Sequence, residues 1–345
     1  MVTFNKYLYF IFRTRVSSSA VFLSRFYARQ NYVRNAKAHL NAKESGRLPS
    51  DCYAQGKYLI FVNQLKSLLV NREERHTLKL ISYDEVLKLG IKAEEHSVLL
   101  SSGTEDWIFA VAIPTAAKER AKDIESEVAG KIIPFRTSLF TLTPTESAIS
   151  SKALALLKWN EEFNFCSSCG QKLTPAPART QKKCVSCHKS HYPAVNPVGI
   201  TLVRTYDNSK ILLVRQHSHP PGMYTCIAGF VETGESIEEN IRREVAEEVG
   251  IAVEAIQYVS SQHWAFPINS LMIGCTAAAE EQMLSIDHEE LEDAKWFTPE
   301  QVRNAVQRIT QKNKEVLKNS SEIWIPPPGA LAHTLITHWL QIHEQ

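Results

Sequence analysis

The chain has 345 residues, of which 44% are hydrophobic and 22% are charged, and its formal net charge is +2. These values are ordinary for globular protein, and the length allows two domains and a small module. The small net charge gives no general case for nucleic-acid binding. A disulfide framework is not indicated, because four of the seven cysteines form two Cys-x-x-Cys pairs.

The N-terminal stretch before Glu44 contains arginines, lysines and serines but no aspartate or glutamate. This composition is typical of a mitochondrial transit peptide, which we predict over residues 1–35 together with a mitochondrial location. A secretory signal is the alternative, but Arg13 and Arg15 interrupt its apolar region early. The apolar run Tyr7–Phe12 is too short to span a bilayer, which takes about 20 residues. We therefore predict no membrane association.

Residues 45–150 read as short strands separated by charged or glycine-containing turns. The strand-like segments are LIFVNQL, TLKLISY, HSVLLSSG and WIFAVAI. No set of residues with catalytic spacing occurs among them. We predict a strand-rich N-terminal α+β domain that supports or shapes a site located elsewhere.

Residues 151–195 are predicted to form a linking helix and a zinc ribbon. Apolar spacing favours a helix over Thr145–Asn160, which leads into the two cysteine pairs. Fourteen residues separate the pairs, a spacing typical of a tetrahedral zinc site that is closed and structural. A redox dithiol is the alternative, although one active pair would not need a second; His188 and His191 are also near enough to replace a ligand. The predicted zinc ligands are Cys166, Cys169, Cys184 and Cys187.

A glycine-rich turn at Gly229 begins the most informative segment of the chain, which runs to Ile251. Ser236 and Glu239 have the spacing of a helix-capping box. The helix that follows carries an apolar stripe, which predicts one face packed on a core. The residues of the stripe are Ile237, Ile241, Val245 and Val249.

Three glutamates share one face near the end of this helix, at offsets of three and four residues. Like charges at this spacing each destabilise an isolated helix by about 0.2–0.5 kcal/mol, so a cation is expected beside them. Oxygen ligands on a rigid helix suit Mg²⁺ or Mn²⁺, with substrate phosphates completing the coordination. The three residues are Glu244, Glu247 and Glu248.

The same segment resembles the Nudix box, G-x5-E-x7-R-E-U-x-E-E-x-G-U with U aliphatic. Every fixed position matches, at Gly229, Glu235, Arg243, Glu244, Val245, Glu247, Glu248, Gly250 and Ile251. The resemblance implies a hydrolase that cleaves a nucleoside diphosphate linked to another group with the help of a divalent metal. It implies that Glu244 and Glu248 bind metal and that Arg243 orients the carboxylates. Glu247 is either a third ligand or the base, and this alternative stays open.

The array SQHWAFPINS follows the box at Ser261–Ser270 and is similar to the SQPWPFPxS array of the NADH pyrophosphatase family. His263 and Ala265 stand where that array has proline, which leaves this loop less restricted in φ. Flat side chains beside an amide suit adenine and nicotinamide rings, although a purely structural aromatic loop is the alternative. The matching residues are Ser261, Gln262, Trp264, Phe266, Pro267 and Ser270.

The similarity extends from Lys152 to the C-terminal PPPGALAH, in the order typical of the mitochondrial NADH pyrophosphatase branch of the Nudix superfamily. It implies that residues 196–345 form a Nudix α/β/α sandwich with a mixed sheet, and that the protein is a homodimer. The backbone carbonyl of Ala228 and the carboxylate of Glu290 are implied as further Mg²⁺ or Mn²⁺ ligands. The implied substrate contacts are Tyr192, Phe230, Gln262, Trp264, Phe266, Pro267 and Ala332.

The implied reaction is metal-assisted attack of water on the pyrophosphate of NADH or NADPH. The products are reduced nicotinamide mononucleotide (NMNH) with AMP, or with 2′,5′-ADP from NADPH. One alternative is removal of NAD caps from RNA, against which the near-neutral charge argues. The other is a catalytically inactive nucleotide-binding module, which would not need the full set of glutamates.

Overall fold

The computed structural model describes residues 36–42, 48–49, 51–62, 65–71, 76–102, 107–113, 118–266, 268–310 and 322–343. The predicted transit peptide and Pro267 lie outside the described residues. Within those residues, a short helix covers 36–42, and the remaining elements form three sheets flanked by helices. No helix in the described part is long and apolar enough to cross a membrane.

The first sheet has the strand order β4-β5-β1-β2-β6, with β3 beside β1. It is mixed, because β1 and β5 are parallel whereas the other pairs are antiparallel. Separate apolar clusters cover its two faces. The strands are β1 Lys57–Val62, β2 Ser67–Val70, β3 Leu80–Ser82, β4 Val98–Ser102, β5 Trp107–Ala112 and β6 Lys131–Pro134. The helices are α1 Tyr83–Lys88, α2 Ala93–His96, α3 Lys118–Glu127 and α4 Phe135–Ser138.

Helix α5, Pro144–Glu162, links this sheet to the cysteine pairs. It begins at a capping box between Thr143 and Glu146, and proline at its first position has the φ angle that a helix start requires. Its apolar face packs in one of the two clusters of the first sheet. A small antiparallel sheet follows, formed by β7 Leu173–Pro175, β8 Lys182–Cys184 and β9 Ser190–His191.

The third sheet has the order β13-β14-β10-β11-β15, with β12 beside β10. Strands β10 and β14 run parallel over their whole length and form its centre, whereas the other pairs are antiparallel. The strands are β10 Asn196–Thr205, β11 Ile211–Gln216, β12 Ile227–Phe230, β13 Glu254–Trp264, β14 Ser270–Ala279 and β15 Leu291–Phe297.

Helices cover both faces of the third sheet. Helix α6, Ile237–Val249, packs on one face through the predicted stripe of isoleucines and valines. Helices α7, Pro299–Thr310, and α8, Leu331–His343, contribute to the cluster on the other face. The mixed sheet between helices is the architecture that the resemblance implied for the C-terminal region.

The first and third sheets meet through aromatic side chains. Phe135 of α4 lies 5.6 Å from Phe266 between ring centroids, and Phe140 lies 6.3 Å from Trp264. Gly329 approaches the carbonyl of Leu139 so closely that a Cβ there would be 2.9 Å from the oxygen. The N-terminal region therefore packs directly on the aromatic array, whose first four residues, Ser261–Trp264, form the end of β13 rather than part of a loop.

Candidate active site

Helix α6 presents its glutamates beside the end of β12. Its predicted capping box is confirmed, since Ser236 accepts from the Glu239 N–H and Glu239 accepts from the Ser236 N–H. Gly250 ends the helix at φ +70°, a left-handed conformation that favours glycine. At Gly229 a Cβ would lie 1.9–2.1 Å from the Glu244 carboxyl atoms. The first glycine of the box is therefore required because a carboxylate lies against its backbone.

Arg243 connects the turn, the strand and the helix. Its Nε and Nη2 donate to the two Glu235 carboxylate oxygens at 2.6 and 3.0 Å. Its Nη1 donates to Glu244 at 2.9 Å and to Glu247 at 2.8 Å, and Nη2 also donates to the carbonyl of Phe230 at 2.9 Å. One guanidinium thus orients three carboxylates, and it keeps the pKa of Glu235 near 2.

Glu248 is 3% exposed, and its Oε2 has no hydrogen-bond partner among the described residues. Burial, and then the charges of Glu244 and Glu290, raise the pKa of Glu248 to about 8. Burial also raises the pKa of Glu244, although Arg243 opposes this shift. A buried carboxylate oxygen without a donor, surrounded by further carboxylates, fits a site for a divalent cation.

The segment before β15 closes the site at the end of α6. Backbone N–H groups of Ser285 and Asp287 donate to the carbonyls of Val249 and Glu248, at 3.0 and 2.9 Å. These bonds anchor the turn that carries Glu290, whose charge acts on Glu244 and Glu248. The structure thus brings the predicted ligand Glu290 to the glutamates of the box, although it lies 42 residues after Glu248 in the chain.

Two residues with a place in this geometry were not among the predicted site residues. Glu235 was matched as a fixed position of the box but was given no role. That match could have indicated its contact with Arg243. Asn240 is fully buried and donates to the carbonyl of Phe230 at 2.8 Å. No pattern in the sequence indicated Asn240, because its partner lies on another element.

Gln262 lies near the end of β13 and links that strand to the start of α8. Its Nε2 donates to the carbonyl of Gly329 at 2.7 Å, and its Oε1 accepts from the N–H of Leu331 at 2.9 Å. Ala332, predicted to contact substrate through its backbone, is the next residue of α8 and is 5% exposed. The structure therefore places Gln262 beside Ala332 and shows its amide engaged with the backbone.

The aromatic rings of the array are half-buried rather than fully exposed. Trp264 and Phe266 meet edge to face with centroids 6.0 Å apart, and both pack against the cluster of the first sheet. Phe230, by contrast, is 44% exposed at the end of β12, and Tyr192 is 64% exposed after β9. Ala228 lies in β12, one residue before Gly229.

The four cysteines of the two pairs come together at the small sheet. Their sulfurs all lie within 4.8 Å of one another, which fits a tetrahedral ion with Zn–S bonds of about 2.3 Å. The Ser168 N–H lowers the pKa of Cys166 to about 7, and the Cys187 N–H lowers the pKa of Cys184 to about 6. His191 lies beside the cluster, with Nε2 3.3 Å from the Cys166 sulfur.

Comparison with known proteins agrees with this geometry. The family model for the NUDIX domain matches residues 195–319. Human NAD(P)H pyrophosphatase NUDT13, mitochondrial, is 36% identical over 330 residues, which cover 90% of this chain and 91% of the relative. The chain belongs to the Nudix family.

One further relative has the same name as the human NUDT13 protein, and another has a different name. The mouse NAD(P)H pyrophosphatase NUDT13, mitochondrial, is also 36% identical, over 90% of this chain and 91% of its own length. The human NAD-capped RNA hydrolase NUDT12 is 37% identical over 249 residues, covering 70% of this chain and 51% of that protein. The chain thus spans about half of NUDT12 but nearly all of NUDT13.

Proposed function

We propose that this protein is a metal-dependent NAD(P)H pyrophosphatase. It hydrolyses NADH to NMNH and AMP, and NADPH to NMNH and 2′,5′-ADP. The observation that carries the proposal is the buried Glu248 carboxylate, which has an oxygen without a donor and faces Glu244 and Glu290. The names of the full-length relatives support the choice of substrate.

In the proposed site, Glu244, Glu248, Glu290 and the carbonyl of Ala228 hold Mg²⁺ or Mn²⁺. Such ions, when bound, offset charge on the phosphate oxygens and lower the pKa of a water. Arg243 fixes the ligands through its contacts with Glu235, Glu244 and Glu247, so little reorganisation is needed on binding. Glu247 is 57% exposed at its side chain, which leaves it accessible to water as a third ligand or as the base.

The remaining assignments follow the same proposal. Trp264, Phe266 and Phe230 bind the rings, with Pro267, Tyr192, Gln262 and Ala332 contributing further contacts; Gln262 also holds the start of α8 in place. Cys166, Cys169, Cys184 and Cys187 bind a structural zinc between an N-terminal domain, 45–150, and a Nudix domain, 196–345. We propose that the protein is a homodimer, as the family resemblance implies. We also propose that it is located in mitochondria, in keeping with the names of the relatives and the predicted transit peptide.

Removal of NAD from capped RNA is the second candidate, and the similarity to the NAD-capped RNA hydrolase NUDT12 favours it. The test supplies NADH, NADPH, NAD and NAD-capped RNA separately with Mg²⁺ or Mn²⁺ and measures product formation. We expect faster cleavage of the reduced dinucleotides, and a loss on the order of 10³-fold in Glu248→Gln.

Glu238→Gln is the matched control for this assay, because Glu238 lies exposed in the first turn of the same helix. The control variant is expected to retain activity. Cleavage of capped RNA alone would replace the proposal with RNA processing. Tight nucleotide binding without turnover in the wild-type protein would indicate an inactive module.

A further inference from the structure

Arg136 of α4 is an exposed cation that lies on the aromatic array. Its guanidinium carbon is 5.6 Å from the centroid of the Phe266 ring, a cation–π distance. None of the ion pairs found among the described residues involves Arg136. Among the residues that the structure describes, its guanidinium is therefore held at the array without a carboxylate partner.

A second residue lies near Arg136. It is His219, in the loop that follows strand β11 of the Nudix sheet, and we call the place where these two residues lie the corner. Burial, and then the charges of Arg215 and Arg136, lower the pKa of His219. The Nδ1 of His219 accepts from the N–H of Gln216 at 3.2 Å, so its Nε2 carries the proton and is the remaining donor. Arg215 itself is already paired with Glu292 at 2.9 Å.

This corner differs in charge from the metal site. The metal site consists of carboxylates, which repel phosphate unless a cation lies between them. At the corner, Arg136 and His219 offer N–H donors, and the Glu292 carboxylate is paired with Arg215. The corner suits a phosphate bound directly by side chains, because a planar guanidinium matches the geometry of phosphate oxygens.

We infer that Arg136 and His219 form a subsite for a phosphate on the adenosine ribose, and that this phosphate is the 2′-phosphate of NADPH. The inference rests on the proposed function, in which the array binds a ring and the carboxylates hold the pyrophosphate through metal. NADPH has one further phosphate beyond its pyrophosphate, and arginine beside the ribose is a general means of accommodating it. The N-terminal region thereby contributes a specificity-determining residue to the Nudix site.

The first test measures kcat/KM for NADPH and NADH with the full chain. We expect the ratio of kcat/KM for NADPH to kcat/KM for NADH to fall about tenfold in Arg136→Gln. The ratio should fall less in Arg136→Lys, which keeps the charge but lacks the planar guanidinium with its several N–H donors. Any loss caused by altered packing on Phe266 affects both substrates and cancels in this ratio. Lys131→Gln is the control, because it removes an exposed cation of the preceding strand that acts on His76 instead.

The second test measures binding of AMP, adenosine 2′,5′-bisphosphate and adenosine 3′,5′-bisphosphate by calorimetry, which requires no turnover. We expect the 2′-phosphate to strengthen binding about tenfold in the wild type and to lose this advantage in Arg136→Gln and His219→Gln. An unchanged ratio and unchanged binding in Arg136→Gln would overturn the inference. An advantage for the 3′-phosphate would also overturn it and would indicate the attachment point of an RNA chain. Absence of turnover with both dinucleotides would instead contradict the proposed function, while the binding results would still test the subsite.

Discussion

The cysteine cluster and the glutamate cluster are both suited to metal, but the protein around them differs. The cysteines lie beside a three-stranded sheet. Among the described residues, its buried apolar cluster consists of Cys166, Leu173 and Cys184, with Phe163 and Cys187 packed against it. The glutamates lie on α6, which is fixed by the large cluster on one face of the third sheet. We therefore expect the first site to require a bound ion for its local folding, and the second to have its geometry before any ion binds.

The two clusters also differ in how their charge is balanced. At the glutamates, Arg243 binds three carboxylates, while the Oε2 of Glu248 has no donor among the described residues. The cysteine module consists of the two Cys-x-x-Cys pairs and strands β7 to β9. In this module Lys182 donates to groups at the end of α5, and among the described residues it binds no carboxylate. The comparison teaches that the proposed catalytic site keeps a buried carboxylate oxygen without a donor, while the buried lysine of the cysteine module is engaged with neighbouring carbonyl groups.

The largest expected effect is loss of the zinc site. Structural zinc contributes about 10 kcal/mol or more to the folding of small zinc domains, so Cys184→Ser should abolish zinc binding and unfold the module. Zinc content by mass spectrometry and unfolding by circular dichroism would measure this. Val185→Ala, an exposed position in the same turn, should keep both properties. Wild-type protein that contained no zinc and was insensitive to chelators would remove the contrast between the two clusters.

The next effect is a pH dependence specific to the glutamate cluster. The pKa of Glu248, about 8 in the folded protein, exceeds the ordinary value of 4.5, so the folded state holds its proton more tightly than the unfolded state. Stability without Mg²⁺ should therefore fall as the pH rises from about 4.5 to 8, by about 1.4 kcal/mol per pH unit at most. Between pH 5.5 and 7.5 we expect a loss of about 2–3 kcal/mol relative to Glu248→Gln.

Urea unfolding of zinc-loaded protein in Mg²⁺-free buffer measures this difference at the two pH values. Glu248→Gln is its own control, since it keeps the shape of the side chain and cannot ionise. Added Mg²⁺ should restore stability to the wild type at pH 7.5 and have little effect on the variant. Parallel pH curves for the two proteins would show that Glu248 is not the group responsible.

A smaller effect is expected from one methyl group at Gly229. In Gly229→Ala the Glu244 carboxylate must move, because the added Cβ would lie about 2 Å from its atoms. A displacement of about 1 Å in a catalytic group can reduce turnover about 10²-fold, with zinc content unchanged. Steady-state kinetics with NADH would measure the loss. Full activity in this variant would mean that turnover does not depend on the exact position of the Glu244 carboxylate. That result would contradict the view that the site has its geometry before an ion binds.

Features that depend on contacts between residues close in the chain could be predicted from the sequence, whereas features that depend on contacts between distant residues could not. The start of α6, its apolar stripe and its glutamates could be predicted because they depend on neighbours three or four residues away. Four strands of the first sheet and the long helix before the cysteines were also recognisable from local patterns, whereas the short strands β2 and β6 and the helices α1 to α4 were not predicted. The bonds of Gln262 to α8 and the position of Arg136 over Phe266 could not be predicted, since they join segments 67 and 130 residues apart.

The smallest effect concerns Lys182, which is 3% exposed and fastens the cysteine module to α5. Its ammonium donates to the carbonyls of Asn160 and Phe163 at 2.9 and 2.7 Å and lies 5.1 Å from the Trp159 ring centroid. Lys182→Met keeps the apolar stem but leaves those carbonyls without this donor. Loss of hydrogen bonds from a charged donor should cost about 1–3 kcal/mol in urea unfolding.

Lys183→Met is the matched control for this change, because Lys183 is exposed on the same strand and should change stability by less than about 0.5 kcal/mol. Both variants should bind zinc in the wild-type ratio, since neither changes a sulfur ligand. Equal effects of the two substitutions would show that Lys182 contributes only its apolar stem. The cysteine module would then be held to α5 by packing and by its ion. Lys182 would in that case differ further from Arg243, which orients the carboxylates at the glutamates through its hydrogen bonds.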